Sequence, residues 1–361
     1  MTIRVAQVAT GNAGKLTLRQ LISDPRFELV AVSTSDPTKV GRDAGDLAGL
    51  DVSTGIVAVG DLDALIAAEP DCVVYCAMGD TRPREATADV CRILEAGIDL
   101  VGSSPGTLLY PWGSMPQKVI DKVEAAAQAG GSTLYITGVD PGFASDLLPL
   151  ALASTCQRVE MITCYELADY ATYDGAEVMF DLMGFGQPVD STPMLFLPGV
   201  LAMAWGTAIR MMAAGLGIEV DDIVEDWEAE PAPESYDIAA GRIEKGTIAA
   251  LKFSITGMVQ GHPVIRVQHV TRTRDDLRPD WARPVSGGGA YRIEITGEPS
   301  YVVDVVPSSE HGDHNHAAIV AACGRIVNAI PDVRAAAPGI VTTLDLPLPT
   351  GRGTYVGPGG R

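Results

Sequence analysis

The sequence predicts an α/β chain in two parts: a doubly wound parallel sheet, then a second α+β domain with a mostly antiparallel sheet. Three observations predict it. Residues 1–150 alternate short apolar runs with amphipathic helical segments, the pattern of a parallel sheet covered on both faces. A glycine-bearing turn, Ala9-Thr10-Gly11-Asn12-Ala13-Gly14, joins the first run to the first helical segment. Beyond Val159 the runs lengthen and lose their intervening helices, which favours antiparallel pairing.

Taken in order, residues 3–9 read as a strand, 15–22 as a helix stopped by Asp24-Pro25, and 28–33 as the second strand. Residues 56–59 form a short third strand, 62–68 a helix, and 72–77 the fourth strand. Ala86, Val90, Ile93 and Leu94 share one helical face ahead of Gly97, a natural C-terminal stop. A fifth strand at 100–103, a helix over 115–129 ending in Gly130-Gly131, and a sixth strand at 134–137 complete the alternation. In the second part, 161–166, 249–259, 263–273, 290–296 and 301–306 read as strands, with 191–216 as helix on one face. Ile319, Val320, Cys323, Ile326, Val327 and Ile330 keep helical spacing as far as Pro331, a helix returning to the first domain. The boundaries read 1–147, 148–314 and 315–349, with a loose Gly/Pro-rich tail at 350–361.

Composition narrows the function. The 26 Lys+Arg against 46 Asp+Glu give a net charge of −20, which argues against nucleic acid and against an anionic membrane surface as partners. The uncharged stretch 191–209 is long enough to span a bilayer, but Pro193, Pro198, Gly199 and Gly206 interrupt it, and a buried core helix is the reading. The six cysteines form no C-x-x-C pair and read as reduced thiols; the start runs straight into a strand, so the expected location is cytoplasmic.

The glycine turn carries chemistry. A strand, a Gly-rich turn and a helix in that order make the phosphate cradle of a Rossmann domain: Gly11 lets the backbone approach a pyrophosphate, and Gly14 lets helix and strand pack closely. The first glycine of the usual pattern is Ala9 here. Past the second strand, Ser33, Thr34 and Ser35 are followed by Lys39 and Arg42, small hydroxyls and cations that suit a 2′-phosphate; NADP is therefore expected over NAD, with Asp36 keeping NAD open. In such a sheet the ligand lies beyond the carboxyl ends of the strands, which brings in Ala77-Met78-Gly79-Asp80, Ser103 with the residues after it, and the loop 138–143. The passage Glu310-His311-Gly312-Asp313-His314-Asn315-His316 holds ligand residue types without a recognised metal spacing, and Asp313 or Asn315 is a natural helix N-cap. No metal is assigned.

The runs Thr137-Gly138-Val139-Asp140-Pro141-Gly142-Phe143-Ala144-Ser145-Asp146-Leu147-Leu148-Pro149, Asp169-Tyr170-Ala171-Thr172-Tyr173, Val178-Met179-Phe180-Asp181, Gly184-Phe185-Gly186-Gln187-Pro188 and Val327-Asn328-Ala329-Ile330-Pro331 resemble the dihydrodipicolinate-reductase-like oxidoreductases, in the branch of 2,4-diaminopentanoate dehydrogenase and the native amine dehydrogenases. The resemblance covers nearly the whole chain. It implies NAD(P)-dependent interconversion of an amine and an imine or ketone, with a second domain that binds substrate and pairs two copies as a homodimer. It gives Gly11, Asn12, Ala13 and Gly14 to the pyrophosphate, with Thr10 beside them at the cofactor, and Ser103, Asp140, Gly142 and Phe143 to the nicotinamide end. Tyr170, Tyr173 and His262 become the candidate proton donors, and Met179, Thr107 and Tyr110 substrate contacts. Met179, Phe180, Met183, Phe185 and the stretch 195–205 imply a small, largely apolar substrate.

The chain departs from the pattern of that family after the fifth strand. Amine-active members carry an acidic residue just after the fifth strand, where this chain has Ser104-Pro105-Gly106-Thr107-Leu108. A carbonyl reductase or alcohol dehydrogenase, and a non-catalytic NADP(H)-binding sensor, are therefore the alternatives. The His-His-x-x-Lys signature of true dihydrodipicolinate reductases is absent as well.

Overall fold

The computed structural model describes residues 2–79 and 81–355. Two compact units divide them: residues up to Val139 together with those from Ile319 onward, and Asp140–Ala318. The division falls before Asp140 rather than after residue 147, so the loop opened by Asp140 belongs to the second unit.

In the first unit the elements run β1 (Ile3–Val8), α1 (Asn12–Ser23), β2 (Phe27–Ser33), α2 (Ala44–Ala48), β3 (Ala58–Val59), α3 (Leu62–Ile66), β4 (Cys72–Tyr75), α4 (Pro83–Glu95), β5 (Asp99–Gly102), α5 (Gln117–Gly130) and β6 (Thr133–Ile136). The second unit holds α6 (Leu147–Ala153), β7 (Arg158–Asp169), α7 (Val200–Leu216), β8 (Asp222–Pro231), β9 (Tyr236–Ile238), β10 (Gly241–Ile243), β11 (Ile248–Val259), β12 (His262–Arg272), β13 (Gly289–Glu298) and β14 (Tyr301–Val305); α8 (His314–Ala335) and β15 (Gly339–Val341) close the chain.

The first sheet is parallel, in the order β15-β6-β5-β4-β1-β2-β3. Its centre is apolar on both faces: Val5, Val73, Val74, Leu100, Val101 and Leu134 have no exposed surface, as a sheet sandwiched by helices requires. The chain reverses direction across the sheet between β1 and β4, which puts the β1–α1 turn at the switch point. The helix that was expected to end at Pro331 runs on to Ala335. Ile330 and Val333 are fully buried on either side of the proline, so packing outweighs the backbone hydrogen bond it removes. The strand β15 after it, too short to show a period, was not foreseen.

The second sheet runs β14-β13-β7-β12-β11-β8 and is antiparallel except for the β7–β12 pair. The register sets Trp227, Phe253, His269, Glu166 and Tyr291 in one row across five strands. The helix α7 covers this face, joining Ile209 and Met212 to the same apolar core as Phe253, Val267 and Ile293. Among the described residues no helix is long and apolar enough to cross a membrane, and the uncharged stretch supplies core packing.

Candidate active site

In the first unit the β1–α1 turn is held open from beneath. Gln7 is fully buried; its Nε2 donates to the carbonyls of Ala9, at 3.0 Å, and Gly14, and its Oε1 accepts from the Thr17 hydroxyl at 2.9 Å. Gly11 precedes the first turn of α1 and offers no side-chain cap, which leaves the helix-start N–H groups free. A Cβ on Gly11 would meet nothing within 4 Å, whereas one on Gly14 would lie 2.4 Å from the Ala9 carbonyl oxygen. An open approach at the first glycine, close packing at the second and an uncapped positive helix end fit a pyrophosphate.

Ala9 pays for this geometry with φ = +73°, a left-handed backbone conformation costly for any residue with a Cβ. Ala9→Gly is expected to stabilise the first unit by about 0.5–1 kcal/mol. It should raise the urea midpoint at unchanged slope; a lowered midpoint would count against strain at this residue.

The neighbouring residues expected at the cofactor are partly gathered. Thr10 donates to the Thr34 hydroxyl at 3.4 Å, and Lys39 Nζ donates to the Thr10 carbonyl at 3.2 Å, with Asp36 3.8 Å from the same ammonium. Ser33 accepts the Ala9 N–H at 2.8 Å and Ser35 is exposed. Arg42 is paired with Asp46 instead. After β4, Ala77 is buried and Met78 is 59% exposed; Asp80 lies outside the described residues. The Ser104 hydroxyl accepts the Gly79 N–H at 2.8 Å, tying the β4 and β5 loops together, and Ser103 donates its N–H to Tyr75. Thr107 lies in a 3-10 turn and Tyr110 meets the edge of Trp112.

The second unit contains a buried ionic cluster. His269, in the middle of β12, has Nε2 3.1 Å from Asp140 Oδ2 and Nδ1 3.5 Å from Glu166 Oε1. The Asp140 contact is off the line of a hydrogen bond and works by charge. The imidazole stacks on Phe253 at 4.6 Å and takes the edge of Trp205. Burial alone would pull the histidine pKa down, but the two carboxylates reverse that and push it up to about 10. Burial works against the Glu166 charge as well, yet the imidazolium and a 2.8 Å hydrogen bond from the Tyr170 hydroxyl hold its carboxyl below the ordinary range. Tyr170 moves the other way: burial and the Glu166 charge push its phenol well up, so it remains a donor. Asp140 Oδ1 accepts from Ser145, whose Oγ also accepts the Gly142 N–H. Donor atoms of Asp140, Glu166 and His269 lie within 4.8 Å of one another. Proximity alone would admit a cation, but a ring with one nitrogen facing each carboxylate already supplies the positive charge.

Of the residues singled out for proton donation, the structure brings Tyr170 and Tyr173 together, stacked at 5.4 Å, with Tyr170 on the cluster. It does not bring His262 there. That residue is exposed at the β11–β12 turn, seven residues along the strand from His269, roughly 20 Å away. Met179 has no exposed surface and packs in the core of the unit. Phe143 and Gly142 sit beside Asp140 in the segment leading to α6. The Glu310–His316 passage positions the tyrosine loop. Asp313 caps α8 by accepting the Asn315 and His316 N–H groups, and His314 Nε2 bonds the Asp169 carbonyl at 2.7 Å. Asn315 Nδ2 donates to the same carbonyl and to the Thr172 hydroxyl.

Sequence reasoning missed Gln7, Glu166 and His269. A polar residue inside the first apolar strand was a usable signal for Gln7. For His269 none existed, since strand register brings Glu166 to it and a loop brings Asp140.

The family model of the 2,4-diaminopentanoate dehydrogenase C-terminal domain matches residues 143–354. An amine dehydrogenase of Streptomyces virginiae is 40% identical over 342 residues, 94% of each chain. The 2,4-diaminopentanoate dehydrogenase of Acetoanaerobium sticklandii is 26% identical over 301 residues, 81% of this chain and 78% of its own. The solved structure of an amine dehydrogenase from Mycobacterium smegmatis superposes with a TM-score of 0.79 at 21% identity, covering 98% of this chain and 99% of that one.

Proposed function

Because the chain belongs to the 2,4-diaminopentanoate dehydrogenase family of oxidoreductases, we propose that it is an NAD(P)-dependent enzyme interconverting a small, largely apolar amine with its imine or ketone. The observation that carries this reading is the open, uncapped start of α1 framed by Gly11 and Gly14. There Gly11, Asn12, Ala13 and Gly14 hold the pyrophosphate on backbone N–H groups, Ser33, Thr34 and Ser35 face the adenosine ribose, and Ala77, Met78 and Ser103 follow the carboxyl ends of neighbouring strands. The nicotinamide, when bound, supplies the hydride acceptor or donor. Lys39, whose ammonium bonds the Thr10 carbonyl next to the Thr10–Thr34 hydroxyl pair, supports NADP over NAD, because a cation near small hydroxyls complements a 2′-phosphate. NAD remains the alternative, favoured by Asp36 beside the same lysine.

Asp140, Gly142, Phe143, Tyr170 and Tyr173 of the second unit are proposed as site residues as well, and Thr107 and Tyr110 of the first as substrate contacts. A homodimer is proposed through the second sheet: α6 and α7 pack on one face, and the other carries Val224 at 45% and Val302 at 69% exposure. Sedimentation velocity decides this.

A second reading, carbonyl reduction without ammonia, is favoured by the loop after β5, where Ser104 takes part in a backbone hydrogen bond and no carboxylate is present. Following NADPH at 340 nm with a panel of small ketones, with and without ammonium, separates the readings. Consumption that requires ammonium is the expected result. Consumption indifferent to it would establish the carbonyl reductase, and binding without turnover the sensor.

A further inference from the structure

A small primary amine is a cation near neutral pH, and so is the iminium that receives hydride. A site for either must offer a negative charge that is fixed, desolvated on its inner side and open on its outer side. The loop after β5 supplies none: Ser104, Pro105, Gly106 and Thr107 are all uncharged.

We propose that Glu166 is the residue that binds the substrate's ammonium or iminium group, with His269 and Asp140 positioning it and Tyr170 fixing its rotamer; this rests on the amine reading above. Both internal contacts of Glu166, the Tyr170 hydroxyl and the His269 ring, fall on Oε1. Among the described residues Oε2 has no hydrogen-bond partner and is not a buried orphan, and the side chain keeps 15% of its surface exposed against 4% for His269 and 3% for Asp140. One carboxylate oxygen is therefore anchored and the other is available. Two carboxylates against one imidazolium leave the cluster a single negative charge. The stacked Tyr170 and Tyr173 rings beside it add the aromatic surface that cations favour. A ketone or alcohol offers no such charge to match, so Glu166 discriminates the amine side of the reaction from the carbonyl side.

The titratable groups that face Glu166 are His269 on β12, Tyr291 on β13, Tyr170 and Tyr173 just past β7, and His314 at the start of α8, with Asp140 across the imidazole. None but Glu166 presents an unshared carboxylate oxygen to an incoming cation.

The test is Glu166→Gln, which keeps an acceptor for Tyr170 and removes the charge. In the ammonium-dependent assay the KM for ammonium is expected to rise by about 100-fold, the size of a lost charge-assisted contact, while the KM for NADPH stays put. An ammonium KM close to that of the unaltered protein overturns the proposal. A second readout needs no turnover: calorimetric binding of 2-butylammonium to the cofactor-free protein should weaken about tenfold or more in the variant while that of 2-butanol does not change. Equal loss for both probes, or for neither, overturns it too. If Glu166→Gln does not fold, Tyr170→Phe serves. Losing that hydrogen bond raises the Glu166 pKa, so the acid limb of the kcat/KM profile for the amine moves to higher pH; an unmoved limb refutes the assignment. Should the unaltered protein consume NADPH without need of ammonium, the amine reading itself fails, a result distinct from all of these.

Discussion

Replacing Gly11 by leucine is expected to weaken NADPH binding by about 100-fold or more, about 2.7 kcal/mol, and to leave the melting temperature within about 2 °C. The two halves of this expectation have separate physical grounds. The backbone of Gly11 has φ −73° and ψ −163°, open to any residue, and its missing Cβ would touch nothing within 4 Å, so the fold has no reason to object. The added side chain stands over the N–H groups at the start of α1, where the pyrophosphate must approach within hydrogen-bond distance. Gly14 makes the natural contrast, since a Cβ only 2.4 Å from the Ala9 carbonyl forces the backbone to move. Fluorescence titration with NADPH checks the affinity and thermal unfolding checks the fold. Undiminished affinity in the leucine variant would place the cofactor elsewhere.

His269→Leu is expected to cost roughly 3–5 kcal/mol, the usual penalty for leaving a buried charge without its partner. Leucine fills comparable space against Phe253 and Trp205 but leaves Asp140 and Glu166 close together with nothing positive between them. The unaltered protein carries the corresponding pH signature. The histidine pKa rises from the ordinary 6.5 to about 10 on folding, so its contribution is complete below about 6.5, declines as pH rises from there, and is gone above about 10. Urea midpoints between pH 6 and 10 should fall more steeply for the unaltered protein than for the variant. Parallel curves would mean that the imidazole is not charged in the fold.

The parallel sheet was legible, β15 apart, because its other strands are short apolar runs alternating with helices that carry one apolar face, and the tight β1–α1 turn because Gly11 and Gly14 stand where such a sheet passes from strand to helix. The strand β8 escaped notice. Asp222, Glu225, Asp226, Glu228 and Glu230 give it the composition of a solvated loop, and only its place at the sheet edge makes room for so many charges. The ionic cluster of the second unit was half legible. Tyr170 sits in a conspicuous Asp-Tyr-Ala-Thr-Tyr run, but Glu166 and His269 look like interior residues of two unrelated strands, more than a hundred positions apart. What joins them is parallel register between β7 and β12, a property of the folded sheet that no local pattern encodes. Resemblance pointed instead to His262, in a turn, the kind of position where histidines are easy to notice and where the solvent has first claim on them.

The bonds that Gln7 makes beneath the β1–α1 turn have a thermodynamic corollary. A loop already held in place by its own amide and hydroxyl groups has little freedom left to surrender if a guest binds, so association there should proceed without an ordering penalty and with a small heat-capacity change. On the proposed placement of the cofactor, substitutions at Gln7 would weaken its binding through the shape of the turn alone.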